Sequence, residues 1–270
     1  MLKFLMCGFL LISVPLNAQY FAVSDFHSDF ERKTFEQLKQ NKLIDPSSFL
    51  IAAESKNRLN EYRDFSLLLK SIPLELNNPK MDRMDFEKKL KYIFKTTQKK
   101  YFNSYQLYES YCDLLEKGDY NCISGTAFYA LLLSEMGYKI HIYETPFHAY
   151  LEVENENGEF ILIESTDAAF GVVDKMKNVK SRREEYAQGQ SEFVARGLGN
   201  VSENPEEIFT NEINLFNLAG LQYYNMAVLA FNEGEFEKAF KLLKKAAYLY
   251  PSSRIIMLQL LSEELIASNY

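Results

Sequence analysis

Chemistry-bearing residues are scarce in this chain. Its 270 residues include three cysteines, three histidines and no tryptophan, and no grouping of them has the spacing of a metal cluster. Its 11 glycines form neither a phosphate loop nor a dinucleotide fingerprint, so no cofactor is implied. Positive charge is also short. Thirty Lys and Arg against 37 Asp and Glu give a formal charge of −7, a balance that excludes nucleic acid as a partner. After residue 16 no apolar run approaches the roughly 20 residues of a membrane span, so no span is expected.

The apolar run that is present opens the chain. Lys3 supplies a positive n-region, residues 4–16 an apolar h-region, and Leu16-Asn17-Ala18 before Gln19 a cleavage site, the pattern of a secretory leader. Cys7 is not read as a lipid anchor, because Met6 stands where a small residue is required and no polar tether follows. The expectation is an exported protein, periplasmic or extracellular, processed near Ala18. Losing Lys3 and no acid takes the formal charge from −7 to −8. Cys112 and Cys122 then remain, and in an oxidising compartment they are a possible disulfide, although helix geometry sets Cys112 well before the turn that carries Cys122.

Residues 24–117 read as a helical lead-in. Ser28 or Asp29 caps a helix over 30–40, Ser47 or Ser48 another over 49–59, and Asp85 a third that gathers Phe86, Leu90, Ile93 and Phe94 on one face. Lys88, Lys89, Lys91, Lys95, Lys99 and Lys100 lie opposite that face and read as solvated rather than as a binding patch.

The stretch 118–171 holds the candidate chemistry. Asn121 is a good N-cap, 123–136 is apolar on nearly every face, and Gly137 supplies a left-handed stop. Three strand-like runs follow at 139–145, 147–154 and 159–165, with Asn157-Gly158 marking a hairpin turn. Cys122 falls in the first helical turn, where unpaired N–H groups and the dipole favour negative charge on sulfur. His148 in the second strand is a candidate base, and Glu164 or Asp167 at the end of the third a candidate orienting acid. Taken singly, a cysteine at a helix start is usually packing and a strand histidine usually structural. The hairpin admits two registers: a three-residue loop 155–157 sets His148 opposite Glu164, and a two-residue turn at 157–158 sets it opposite Asp167. For an oxyanion donor the nearest upstream side chains are Tyr120 and Asn121.

The words YNCISGTAFYALL, ETPFHAYLEV and ILIESTD resemble the transglutaminase-like superfamily, specifically secreted bacterial members with tetratricopeptide repeats after the core. Family members read Asp-Pro-Thr or Glu-Thr-Thr at the third catalytic position, and this chain reads Glu164-Ser165-Thr166, so the resemblance implies a Cys122, His148, Glu164 triad. Ala149 departs from the aromatic residue that often follows the catalytic histidine, which bears on substrate preference and on activity. The implied architecture is α+β: a papain-like core over 19–171, a connector over 172–212, and an α-helical repeat unit over 213–270. In that unit Tyr223, Ala227, Gly234, Phe236, Ala239, Leu243, Ala246 and Pro251 match the repeat pattern. Ser252 caps a last helix over 254–268, whose Ile255, Ile256, Leu258, Leu260, Leu261 and Leu265 need a partner surface, and a single repeat is expected to dock on the core. The implied activity is acyl transfer on peptide or protein amides, by hydrolysis or cross-linking. The alternative is a catalytically inactive module that binds an envelope peptide or protein.

Overall fold

Ser28 accepts the backbone N–H of Glu31 and opens helix α1 (Asp29–Lys39), the first element of a computed structural model. The structure describes residues 21–40, 42, 44–54, 59–76, 79–145, 147–195 and 211–268. The leader 1–18 with Cys7, and the turn and helical stretch expected around Gly197-Leu198-Gly199-Asn200 and Asn204-Pro205, lie outside the described residues. The next helix, α2 (Ser47–Ala52), corrects the sequence expectation. Neither serine caps it: Pro46 is the N-cap, Asp45 takes the Ser47 N–H at 2.9 Å, and the helix ends at Ala52 instead of reaching Leu59. Leu59 instead begins α3 (Leu59–Leu76), a helix hidden in the sequence by Pro73 in its interior. Helix α4 (Phe86–Tyr101) matches expectation, with Asp85 as cap and Leu90, Ile93 and Phe94 buried. After α5 (Tyr111–Lys117), Gly118 takes φ 78° against the Tyr101 carbonyl and turns the chain into α6 (Cys122–Glu135).

Helix α6 is buried along most of its length, as a helix apolar on every face must be. It lies against an antiparallel sheet of β1 (Lys139–Thr145), β2 (His148–Glu154), β3 (Phe160–Ile163), β4 (Val172–Val173) and β5 (Asn211–Ile213), in the order β4-β3-β2-β1-β5. Between β4 and β5 comes α7 (Met176–Ala195). One edge strand, β4, thus comes from the stretch 172–212 expected to be a connector, and the other, β5, from its junction with the expected repeat unit. Alternation divides the sheet: Ala149, Leu151 and Val153 enter the main core, while Tyr150 and Leu162 pack with Val179 of α7.

The β2–β3 hairpin follows neither derived register. Leu151 pairs with Ile163 and Glu154 with Phe160, so the loop has three residues but spans 156–158, one position later than expected. Asn155 explains the displacement. Its side chain accepts the N–H groups of Asn157 and Glu159 at 2.9 Å each, and its own N–H reaches the Glu159 carbonyl at 2.9 Å, extending the ladder by one residue. Gly158, φ 76°, is the left-handed last residue of this loop.

Helices α8 (Leu215–Asn232), α9 (Phe236–Leu249) and α10 (Ser253–Ser268) complete the chain. Tyr223, Ala227, Ala239, Leu243 and Ala246 are buried, and Gly234, φ 79°, makes the α8–α9 turn. Ser252 is no side-chain cap, since its hydroxyl is buried and has no hydrogen-bond partner among the described residues. Of the apolar set on α10, Ile255 is buried while Leu260 and Leu261 stay exposed. The three helices share one core with the lead-in. Gln222 donates to the Leu50 carbonyl at 2.7 Å and accepts the Tyr111 N–H at 3.0 Å, and Tyr223 donates to Glu31 at 2.9 Å. Architecture is therefore α+β, and among the described residues no helix is long and apolar enough to cross a membrane.

Lys245 and Glu31, both fully buried, form an ion pair of 2.9 Å across the α9–α1 contact. Removing the ammonium strands a buried carboxylate, so Lys245→Ala should cost about 3–5 kcal/mol, while Lys245→Met combined with Glu31→Leu should recover most of it. Urea unfolding of the two variants provides the check.

Candidate active site

Asn121 builds the start of α6. Its Oδ1 accepts the N–H groups of Ile123 and Ser124, both at 2.9 Å, and Ser124 Oγ accepts the Asn121 N–H at 2.9 Å. The other half of the amide donates to the carbonyls of Leu107 and Glu109 at 3.3 and 2.7 Å. Asn121 is thereby fully used in holding Cys122 in place, which removes its side chain as an oxyanion donor. Tyr120 is the remaining upstream candidate. It pairs with the 104–106 segment through Tyr120 N to the Ser104 carbonyl, 3.0 Å, and Gln106 N to the Tyr120 carbonyl, 2.8 Å. Burial and the negative Glu164 both raise the Tyr120 pKa, and burial with Cys122 and Glu164 raises that of Tyr105. Both phenols are therefore protonated at neutral pH, and that of Tyr105 lies near enough to the Cys122 thiol to interact with it.

Cys122 is half-buried, Cys112 is buried elsewhere with its thiol donating to the Ile51 carbonyl at 3.7 Å, and no disulfide joins the two. His148 opens β2, and its Nε2 lies 2.5 Å from Glu164 Oε2. Burial alone would lower the His148 pKa, but interaction with the Cys122 thiol and the Glu164 carboxylate overrides it and lifts the value to about 10. Burial works against Glu164 in the opposite sense, and the bonds from His148, Thr166 and Tyr186 bring its carboxyl down to about 2. The imidazole thus holds the carboxylate through Nε2 and interacts with the thiol as well.

The loop after β3 is shaped to present Glu164. Its N–H donates to the Gly171 carbonyl at 2.7 Å, and Gln98 donates to the Ser165 carbonyl at 2.7 Å. Thr166 gives both its N–H, 2.9 Å, and its hydroxyl, 2.6 Å, to Glu164 Oε1. Two glycines permit this packing. A Cβ on Gly125 would sit 2.6 Å from Ser165 Oγ, and one on Gly171 would sit 2.3 Å from the Glu164 carbonyl oxygen. Across the site Thr126 donates to the Ala149 carbonyl at 3.0 Å, fastening α6 to β2 beside His148. Asp167, the other acid considered, is engaged elsewhere: it accepts the Phe170 N–H at 2.9 Å and an Arg182 N–H at 3.3 Å.

Tyr186 was not singled out from the sequence. Its hydroxyl donates to Glu164 Oε2, and its ring centroid lies 4.8 Å from that of His148. The signal was there in the spacing: Val179, Arg182, Arg183 and Tyr186 follow i, i+3, i+4, i+7, one face of a helix. That face carries arginines instead of aliphatic residues because it meets buried acids, as when Arg183 Nε donates to Glu152 at 2.8 Å. A hydrophobic pattern search passes over such a face.

A thiol, an imidazole and a buried carboxylate in sequence can pass a proton from sulfur to nitrogen and stabilise the imidazolium that results. Among the described residues no group of His, Cys, Asp and Glu could hold a metal ion. Compared with protein-family models, curated proteins and solved structures, the chain finds no match, so its own geometry has to carry the functional argument.

The two shifts set a pH window. His148, raised from 6.5 to about 10, contributes stability that is complete below pH 6.5 and lost as pH rises towards 10. Glu164, lowered from 4.5 to about 2, contributes stability that is complete above pH 4.5 and lost as pH falls towards 2. The stability gap between the native chain and Glu164→Gln should therefore be greatest between pH 4.5 and 6.5 and narrow on both sides, as read by urea unfolding across pH. Gly171→Ala should lower stability by about 1–3 kcal/mol through overpacking, measured in the same way.

Proposed function

We propose that this chain is an exported thiol-dependent acyl-transfer protein of the transglutaminase-like class, acting on peptide or protein amides through Cys122, His148 and Glu164. One observation carries the reading: a single imidazole contacts the Glu164 carboxylate through Nε2 at 2.5 Å and interacts with Cys122, at the start of a helix. In this reading α6 and the sheet are the papain-like core, and α8–α9 the tetratricopeptide unit.

Cys122 Sγ, its proton taken by His148, attacks the amide carbonyl carbon. The tetrahedral intermediate collapses to a thioester as His148 returns the proton to the leaving nitrogen. Glu164 stays ionised throughout and stabilises the imidazolium. Attack on the thioester by water completes hydrolysis, and attack by a primary amine completes cross-linking. The raised His148 pKa supports this order, since an imidazole of that basicity is suited to accept the thiol proton.

Iodoacetamide labelling distinguishes this from an inactive binding module. Cys122 should alkylate at least tenfold faster than the buried Cys112 at neutral pH, a fold-change of one pKa unit's worth of interaction or more. His148→Gln and Glu164→Gln should slow it, and Asp167→Asn should leave it unchanged. Equal rates at the two cysteines, or labelling of Cys122 indifferent to His148, would overturn the acyl-transfer reading.

A further inference from the structure

Glu164 accepts from two directions. Thr166 occupies Oε1 with two donors, and Oε2 receives both His148 Nε2 and the Tyr186 hydroxyl. A carboxylate this buried needs each of those donors to stay ionised. Three come from its own loop and hairpin, whereas the fourth comes from α7. That helix is set over the sheet by contacts on the same face as Tyr186: Val179 in the cluster with Tyr150 and Leu162, Arg182 on Asp167, and Arg183 bidentate on Glu152. The Tyr186 ring also lies 5.1 Å from that of Tyr150, which fixes its tilt over His148.

We propose that Tyr186 is a positioning residue of the candidate active site: its hydroxyl locks the rotamer of Glu164, and its ring clamps the imidazole so that Nε2 stays on the carboxylate and the imidazole keeps its interaction with Cys122. This rests on the acyl-transfer reading above. Tyr186 acts through Glu164 and His148 and touches no reacting atom. Burial and the neighbouring Glu164 both raise the phenol's own pKa, so it is a donor at neutral pH. Helix α7 thereby becomes part of the apparatus that positions His148, and whatever displaces it unlocks the acid.

The test uses the full chain and two readouts: the proton NMR signal of His148 Nε2–H, and the pH profile of Cys122 alkylation by iodoacetamide. Tyr186→Phe removes the hydroxyl and keeps the ring. It should shift the Nε2–H signal and slow alkylation at neutral pH by about tenfold, since one donor to a carboxylate is worth about one pKa unit. Tyr186→Leu removes the clamp too and should slow it further. Tyr143→Phe, a ring on the same sheet face with no bond to Glu164, serves as the control and should alter neither. An Nε2–H signal and a pH profile in Tyr186→Phe that match those of the native chain would overturn the proposal, as would loss of folding in both Tyr186 variants, which would show a packing role alone. The two failures are separable. Slow labelling of Cys122 in the native chain defeats the acyl-transfer reading, while the Nε2–H comparison still decides the role of Tyr186.

Discussion

A carboxylate that is only 2% exposed cannot keep its charge unless the protein replaces the water it has lost, and Glu164 is such a group. Four donors from three residues converge on its two oxygens, and each residue constrains a different part of the chain. The Thr166 pair curls the loop after β3 back on itself. His148 ties the acid to the first residue of β2. Tyr186 ties it to α7, whose arginines must then find acids of their own on the sheet and in the loop. The close approach of α6 at Gly125 and of the loop at Gly171 follows from the same demand, because a loop that folds this tightly around its own side chain leaves no room for a Cβ at either place.

The C-terminal helices meet an analogous constraint where α9 meets α1. Lys245 and Glu31 are buried together, and Tyr223, the His27 N–H and the Asp25 carbonyl complete their hydrogen bonding. A pair of this kind contributes little net stability but punishes any arrangement that separates its members. It therefore fixes how α9 meets α1 more firmly than the surrounding apolar contacts, which would tolerate sliding. Gln222 has the same effect between α8 and the α2 and α5 segments, since both ends of its amide bind backbone groups. The α8–α9 pair is thus integral to the fold that supports α6.

What was legible in the sequence was whatever rests on local rules. Asn121, Gly137 and Gly158 mark turns and caps that the neighbouring residues alone determine, and the strand runs 139–145 and 147–154 are β-branched and aromatic enough to override other choices. The lead-in was read less well. Helix α3 carries a proline inside it, and α2 takes its capping contact from Asp45 and not from a serine. Segment 172–195 was least legible, because β4 is two residues long and α7 docks through charge pairs across the sheet. Such contacts exist only after the sheet has formed, so no local pattern announces them.

The hairpin shows how a wrong register can still lead to the right pair of side chains. Extending the observed pairing, in which Leu151 faces Ile163, would bring His148 opposite Thr166 and not opposite Glu164. On a flat ladder that two-residue offset along one face would separate imidazole and carboxylate by more than a hydrogen bond, given a rise of about 3.3 Å per residue. The contact forms because β3 stops at Ile163. Glu164 turns its N–H to the Gly171 carbonyl and lets its side chain reach back across the end of β2, while Thr166, at the position the ladder would have assigned to His148, donates to the far oxygen of the same carboxylate. The residue sequence Glu164-Ser165-Thr166 thus works as a unit: the first residue supplies the charge, the second packs against Gly125, and the third holds the first in place. A glutamate kept within the regular strand would present its carboxylate to a face and not to the strand end, where His148 meets the start of α6.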